Sequence, residues 1–82
     1  MAYKYFILQT PDGEQAVIFP EEFYHDEVAN AFDGYEVLSA GFTGISEKDE
    51  LVCFGKSESL KIESRGEADA FLLKHRLRVR DQ

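Results

Sequence analysis

The stretch Tyr3-Lys4-Tyr5-Phe6-Ile7-Leu8-Gln9-Thr10-Pro11-Asp12-Gly13-Glu14-Gln15-Ala16-Val17-Ile18-Phe19 decides the fold. Residues 3 to 9 are aromatic and aliphatic, Thr10-Pro11-Asp12-Gly13 is a strong turn signal, and Ala16-Val17-Ile18-Phe19 resumes the apolar run. Two strand-like runs joined by so short a turn predict a β-hairpin. Pro20 then stands where a first helical residue is tolerated, and Glu21, Glu22 and Asp26 load the early turns with acid that suits the N-terminal end of a helix dipole. Phe23, Val28, Ala31 and Phe32 form an approximate apolar face, and Asp33-Gly34 ends the helix.

The second half repeats the order. Tyr35 to Ile45 is a long strand pattern containing Gly41 and Gly44, residues 46 to 50 are a polar turn, and Leu51-Val52-Cys53-Phe54 is the return strand. Gly41 inside a strand marks a bulge or a close backbone approach. After a loop over residues 57 to 63, anchored by Leu60 and Ile62, Ser64 and Glu67 fit an S-x-x-E capping box. Ala68, Phe71, Leu72 and His75 follow at helical spacing, which predicts a second helix from about Arg65 to about Leu77. The fold class expected is α+β, ββαββα: a four-stranded, largely antiparallel sheet with two helices on one face.

Both faces of that sheet read as partly apolar. Phe6 and Leu8 oppose Tyr3, Tyr5 and Ile7; Leu38, Ala40 and Phe42 oppose Tyr35, Val37, Thr43 and Ile45; Val52 and Phe54 oppose Leu51 and Cys53. A half-exposed antiparallel sheet normally alternates apolar with polar. Either strand-favouring residues are tolerated on a wet face, or the second face is an interface. The second option predicts a homodimer through Tyr3, Tyr5, Val37, Thr43, Ile45, Leu51 and Cys53, or through Phe42 and Phe54 if the facing is reversed.

Length and charge bound the function. The chain of 82 residues makes one small domain, residues 1 to 82, and Val, Ile, Leu and Phe supply 23 of them, enough for a packed core. The single cysteine, Cys53, excludes an internal disulfide and a cysteine-based zinc site, and neither a metal nor another cofactor is expected. No apolar run approaches the ~20 residues of a membrane span, and the N-terminus turns polar too early for a signal peptide, so a cytoplasmic protein without membrane contact is expected. Residues 1 to 73 carry 5 basic and 15 acidic side chains, net −10, whereas the tail at about 74 to 82 carries Lys74, Arg76, Arg78 and Arg80 against Asp81, net +3. An acidic body repels phosphate backbones, which disfavours nucleic acid as a partner.

Catalytic patterns are missing. Gly55-Lys56-Ser57 resembles the end of a phosphate-binding loop, but Glu50 stands where that motif needs glycine. His25, His75 and Cys53 share no ligand or nucleophile spacing, and the paired carboxylates are adjacent in sequence, so no enzyme is expected. The most unusual stretch is residues 55 to 66, where Ser57, Glu58, Ser59 and Arg65 are a candidate interaction loop between a strand end and a helix N-terminus.

A resemblance enters through three blocks: Val37-Leu38-Ser39-Ala40-Gly41-Phe42, Cys53-Phe54-Gly55-Lys56-Ser57-Glu58-Ser59-Leu60, and Ser64-Arg65-Gly66-Glu67-Ala68-Asp69-Ala70. They resemble a group of small bacteriophage and prophage proteins of no established activity, over roughly residues 3 to 72, with Gly66 standing where members of the group tend to have proline. The resemblance implies a phage-derived protein acting in a bacterial cytoplasm. Two functions follow: a non-enzymatic, self-associating interaction module that binds a phage or host protein, or an acidic nucleic-acid mimic that inhibits a host DNA-handling protein.

Overall fold

A computed structural model describes residues 2 to 80, with side chains placed through residue 75. Its elements are β1 (Ala2–Thr10), β2 (Gly13–Pro20), α1 (His25–Ala29) running into a 3-10 turn (Asn30–Phe32), β3 (Glu36–Ile45), β4 (Leu51–Phe54), β5 (Lys56–Ser57), β6 (Ile62–Glu63) and α2 (Glu67–Arg80). Strands β1 to β4 form an antiparallel sheet in the order β2-β1-β3-β4, as expected of the α+β reading, and β5 and β6 add a small two-stranded sheet. The β1–β2 hairpin closes where the turn signal stands. The Thr10 hydroxyl donates to the Gly13 carbonyl at 2.9 Å, and Gly13 takes a φ of 111°, a left-handed conformation that favours glycine.

Helix α1 is shorter than the apolar spacing predicts. Pro20 is the last residue of β2, paired with Tyr3, and the Phe23 N–H donates to its carbonyl at 3.2 Å, so Glu21 and Glu22 lie in a turn and Phe23 stays exposed. Proline's fixed φ suits the end of an edge strand as well as a first helical turn. The Tyr24 N–H then donates to Glu27 Oε1 at 3.0 Å and starts the five-residue helix.

The two helices do not share a face of the sheet. Tyr5 and Ile7 point to one side, where they pack with Cys53, Ala70 and Leu73, so α2 covers that side. Phe6 and Leu8 point to the other, where they pack with Phe19 and Ala40 and are flanked by Val28 and Phe32 from the α1 region and by Leu60 and Ile62. Strand alternation puts these two clusters on opposite faces. This explains why both faces read as apolar: each is covered by the chain itself.

Two local features set the register. Between Ile7 and Leu8 the pairing of β1 with β3 shifts by one residue, and Leu38 is the extra residue. The bulge sends Leu38 to the α2 side and Val37 to the α1 side, whereas simple alternation predicts the reverse. Gly41, where a bulge or a close backbone approach is expected, is the close approach. A Cβ there would stand 2.5 Å from the Phe54 carbonyl oxygen.

Helix α2 begins at Glu67, two residues later than the capping-box reading, and presents a different face. Ala70 and Leu73 are buried while Phe71 is 69% exposed and stacks on His75 at 5.6 Å. The Ser64 hydroxyl accepts the Gly66 N–H at 2.9 Å, and it is Asp69, not Glu67, that reaches back to accept the Arg65 N–H at 3.0 Å. Gly66 has a φ of 63°, which a proline ring cannot adopt.

Candidate interaction groove

The loop residues singled out by sequence are divided between the two sides of the domain. Ser57 is buried and its hydroxyl accepts the Leu60 N–H at 3.1 Å, which fixes the β5–β6 loop. The exposed Ser59 hydroxyl accepts the Asp26 N–H at 3.2 Å and ties that loop to α1. Glu58 stands 3.8 Å from Lys56 in an exposed pair. Arg65 lies on the α2 side, bound to Glu14 and to Asp69, each at 2.8 Å.

The residues expected to form one interface face are also separated. Tyr5 is fully buried beneath α2, Leu51 is half-buried on that side, and Val37 is half-buried on the opposite side. Only Tyr3 and Ile45 of that set are exposed, at 46% and 63%.

Beneath α2 the sheet carries a polar cluster. The fully buried Asp69 carboxylate accepts the Tyr5 hydroxyl at 2.5 Å, the Arg65 N–H at 3.0 Å and Arg65 Nε at 2.8 Å. Tyr5 also reaches the Ser64 hydroxyl at 2.6 Å. Ser39 is fully buried beside the carboxylate, its hydroxyl without a hydrogen bond of good geometry. Burial and the adjoining Asp69 push the Tyr5 hydroxyl far above its ordinary range, so it remains a donor at any physiological pH. The Asp69 and Tyr5 bonds are made within the cluster and fasten the start of α2 to β1.

Cys53 is on the same side, and burial pushes its thiol up, away from the reactive thiolate. His25 is on the opposite side, so the sheet separates it from Cys53. His75 is exposed on α2, and among the described residues no cluster of His, Cys, Asp or Glu could hold a metal.

The α1 side holds the surface that sequence reasoning missed. A chain of ring contacts runs from Phe32 through Phe6, Phe19, His25 and Phe42 to Phe54, at centroid separations between 5.4 and 6.1 Å. It starts in the core and ends at Phe54, which is 48% exposed. Over its outer end lies a groove of about 620 Å³ lined by Lys4, Tyr24, His25, Phe42, Lys56, Glu58 and Ser59. Lys4 Nζ donates to the Phe23 carbonyl at 2.7 Å and lies 5.2 Å from the centre of the Tyr24 ring, so the lysine holds the exposed tyrosine at the rim. The groove therefore combines an aromatic floor with two cationic side chains. One signal for it is present in the sequence: residues 1 to 73 hold only five cations, and Lys4 interrupts the otherwise apolar run from Ala2 to Leu8.

His25 forms the buried part of the floor, with Nε2 3.0 Å from the Gly41 carbonyl. Burial holds its pKa below the ordinary 6.5 and Lys4 acts the same way, against the backbone carbonyls and Asp26, which act oppositely. The folded state thus binds fewer protons than the unfolded chain below about pH 6.5. The stabilising effect of neutral His25 is fully present above that pH and is lost as pH falls from 6.5 through the folded value. Thermal melts at pH 7.5 and 5.5 should show a lower Tm for wild type at the acidic pH, and His25→Gln should flatten that slope; equal slopes for the two proteins would contradict the assignment.

Comparison of the chain with family models, curated proteins and solved structures finds no match. Among the described residues no helix is long and apolar enough to cross a membrane.

Proposed function

We propose that this α+β domain is a non-enzymatic protein-interaction module, self-associating, whose partner docks in the groove between α1 and the β5–β6 loop. One observation carries the reading: on a body of net charge −10, two of only five cations flank an aromatic floor that continues into the exposed ring of Phe54. Exposed aromatic surface rimmed by charge is what interaction sites present, and aromatic anchors dominate binding energy. The chemistry fits a partner segment with an apolar anchor beside carboxylates. The resemblance to small phage and prophage proteins supports seeking it among phage or host proteins of a bacterial cytoplasm.

The test is capture of a partner from host lysate by wild type and by the double variant Phe54→Ser, Lys56→Glu, both first shown to be folded. A partner bound through the groove should lose at least about tenfold in affinity with the variant, the scale of removing one aromatic anchor. Undiminished binding would overturn the groove. A complex that instead weakened steeply with salt and required Glu21, Glu22, Asp26 and Glu27 would indicate the acidic mimic, because distributed charge acts through a screened long-range field.

A further inference from the structure

We propose that two copies of the chain associate by antiparallel pairing of their β2 strands, making one eight-stranded sheet; this rests on the reading of the protein as a self-associating module and names the surface. Strand β2 is an edge strand of eight residues, bonded to β1 on one side only, and no strand pairs with its other side among the described residues. Its length, about 26 Å at 3.3 Å per residue, is more than a marginal contact.

The edge is also undefended. Edge strands are normally protected by lysines, bulges, internal prolines or a covering element. β2 contains no lysine, its pairing with β1 runs without a register shift, and its single proline is its last residue. The opposite edge is different: β4 has four residues and follows a turn carrying Glu47, Lys48, Asp49 and Glu50.

Charge and symmetry commit the occupant to a second copy. Two acidic chains repel, so they meet most favourably where charge is lowest. Residues 13 to 20 carry one charge, Glu14, and Arg65 is bound to it. A strand pairing with its own copy in antiparallel sense obeys a two-fold axis normal to the sheet, and such an interface is isologous and closes as a dimer. Keeping each face continuous requires the axis to pass through a residue. Centred on Val17, the pairing sets Ala16 beside Ile18 of the second copy and Glu14 beside Pro20, with no like charges opposed within the strands. Ile18, 41% exposed in one chain, gains a neighbour in the paired sheet.

The experiment is sedimentation equilibrium of the whole chain from micromolar to several hundred micromolar, paired with amide hydrogen exchange at the same concentrations. Wild type should reach twice the 9.4 kDa chain mass, and protection should rise with concentration at Glu14, Ala16 and Ile18, whose amides face away from β1 in this hairpin. Ile18→Lys should weaken the dimer at least tenfold. If that variant fails to fold, the exchange pattern of wild type decides alone. A monomer throughout, or a dimer whose β2 amides gain no protection, overturns the proposal. The double variant Phe54→Ser, Lys56→Glu should dimerise as wild type does, so loss of the groove and loss of the edge are read separately.

Discussion

Leu73→Ala is expected to cost about 2 to 5 kcal/mol of folding stability, whereas Phe71→Ala, two residues earlier on the same helix, should change it by no more than about 0.5 kcal/mol. Leu73 is fully buried against Tyr5, Ile7 and Cys53, and truncation leaves a cavity that the sheet beneath cannot close. Phe71 is 69% exposed and gives up only its stacking on His75. A small domain typically holds about 5 to 15 kcal/mol in total, so the leucine variant should unfold at much lower urea while the phenylalanine variant tracks wild type. The reverse order would mean that α2 turns its other side to the sheet.

That contrast shows what kind of information the sequence holds. The hairpin at Thr10–Gly13 was legible because turn chemistry is local, and the close approach at Gly41 was legible because a glycine within a strand has few other uses. The face of α2 was not. Its buried stripe includes Asp69, which pattern reading assigns to solvent, and the carboxylate is tolerated because Arg65 and the Tyr5 hydroxyl, the latter 64 residues away in sequence, both meet it. The extra residue at Leu38 was hidden for a similar reason: a bulge reverses which side chains face which layer, and nothing in the local pattern announces it. Once the helices are read onto opposite faces, the doubly apolar sheet needs no partner to explain it.

The candidate groove was illegible because its parts come from four separate segments. Lys4, Tyr24, Phe42 and Lys56 have nothing in common along the chain and meet only when β1, α1, β3 and β5 are in place. The serine-rich loop stood out in sequence for its composition, yet two of its hydroxyls serve the fold: Ser57 closes its own turn and Ser59 holds α1. Through those bonds they position the wall that carries Lys56 and Glu58.

Tyr5→Phe is expected to cost about 1.5 to 3 kcal/mol at neutral pH, the scale of a hydrogen bond to a buried charged group, although it deletes a single oxygen. Burial pushes the Asp69 carboxyl up, but hydrogen bonds from Tyr5 and from the Arg65 backbone and guanidinium outweigh it and hold the group below its ordinary 3.8. The folded state therefore binds fewer protons than the unfolded chain as pH drops past 3.8. The stability gained from the ionised form is complete above that pH and is lost as pH falls through the folded value. Removing the Tyr5 hydroxyl raises the folded value toward the unfolded one, so the variant should lose less stability than wild type as pH falls below 3.8. Below both values the carboxyl is neutral in each protein, and the gap between them should narrow because a bond to a charge has become a bond to a neutral acid. Urea denaturation at pH 7, 4.5 and 3 measures this directly. A gap of the same size at all three would mean that Tyr5 acts by packing alone and that the Asp69 charge contributes nothing to fastening α2.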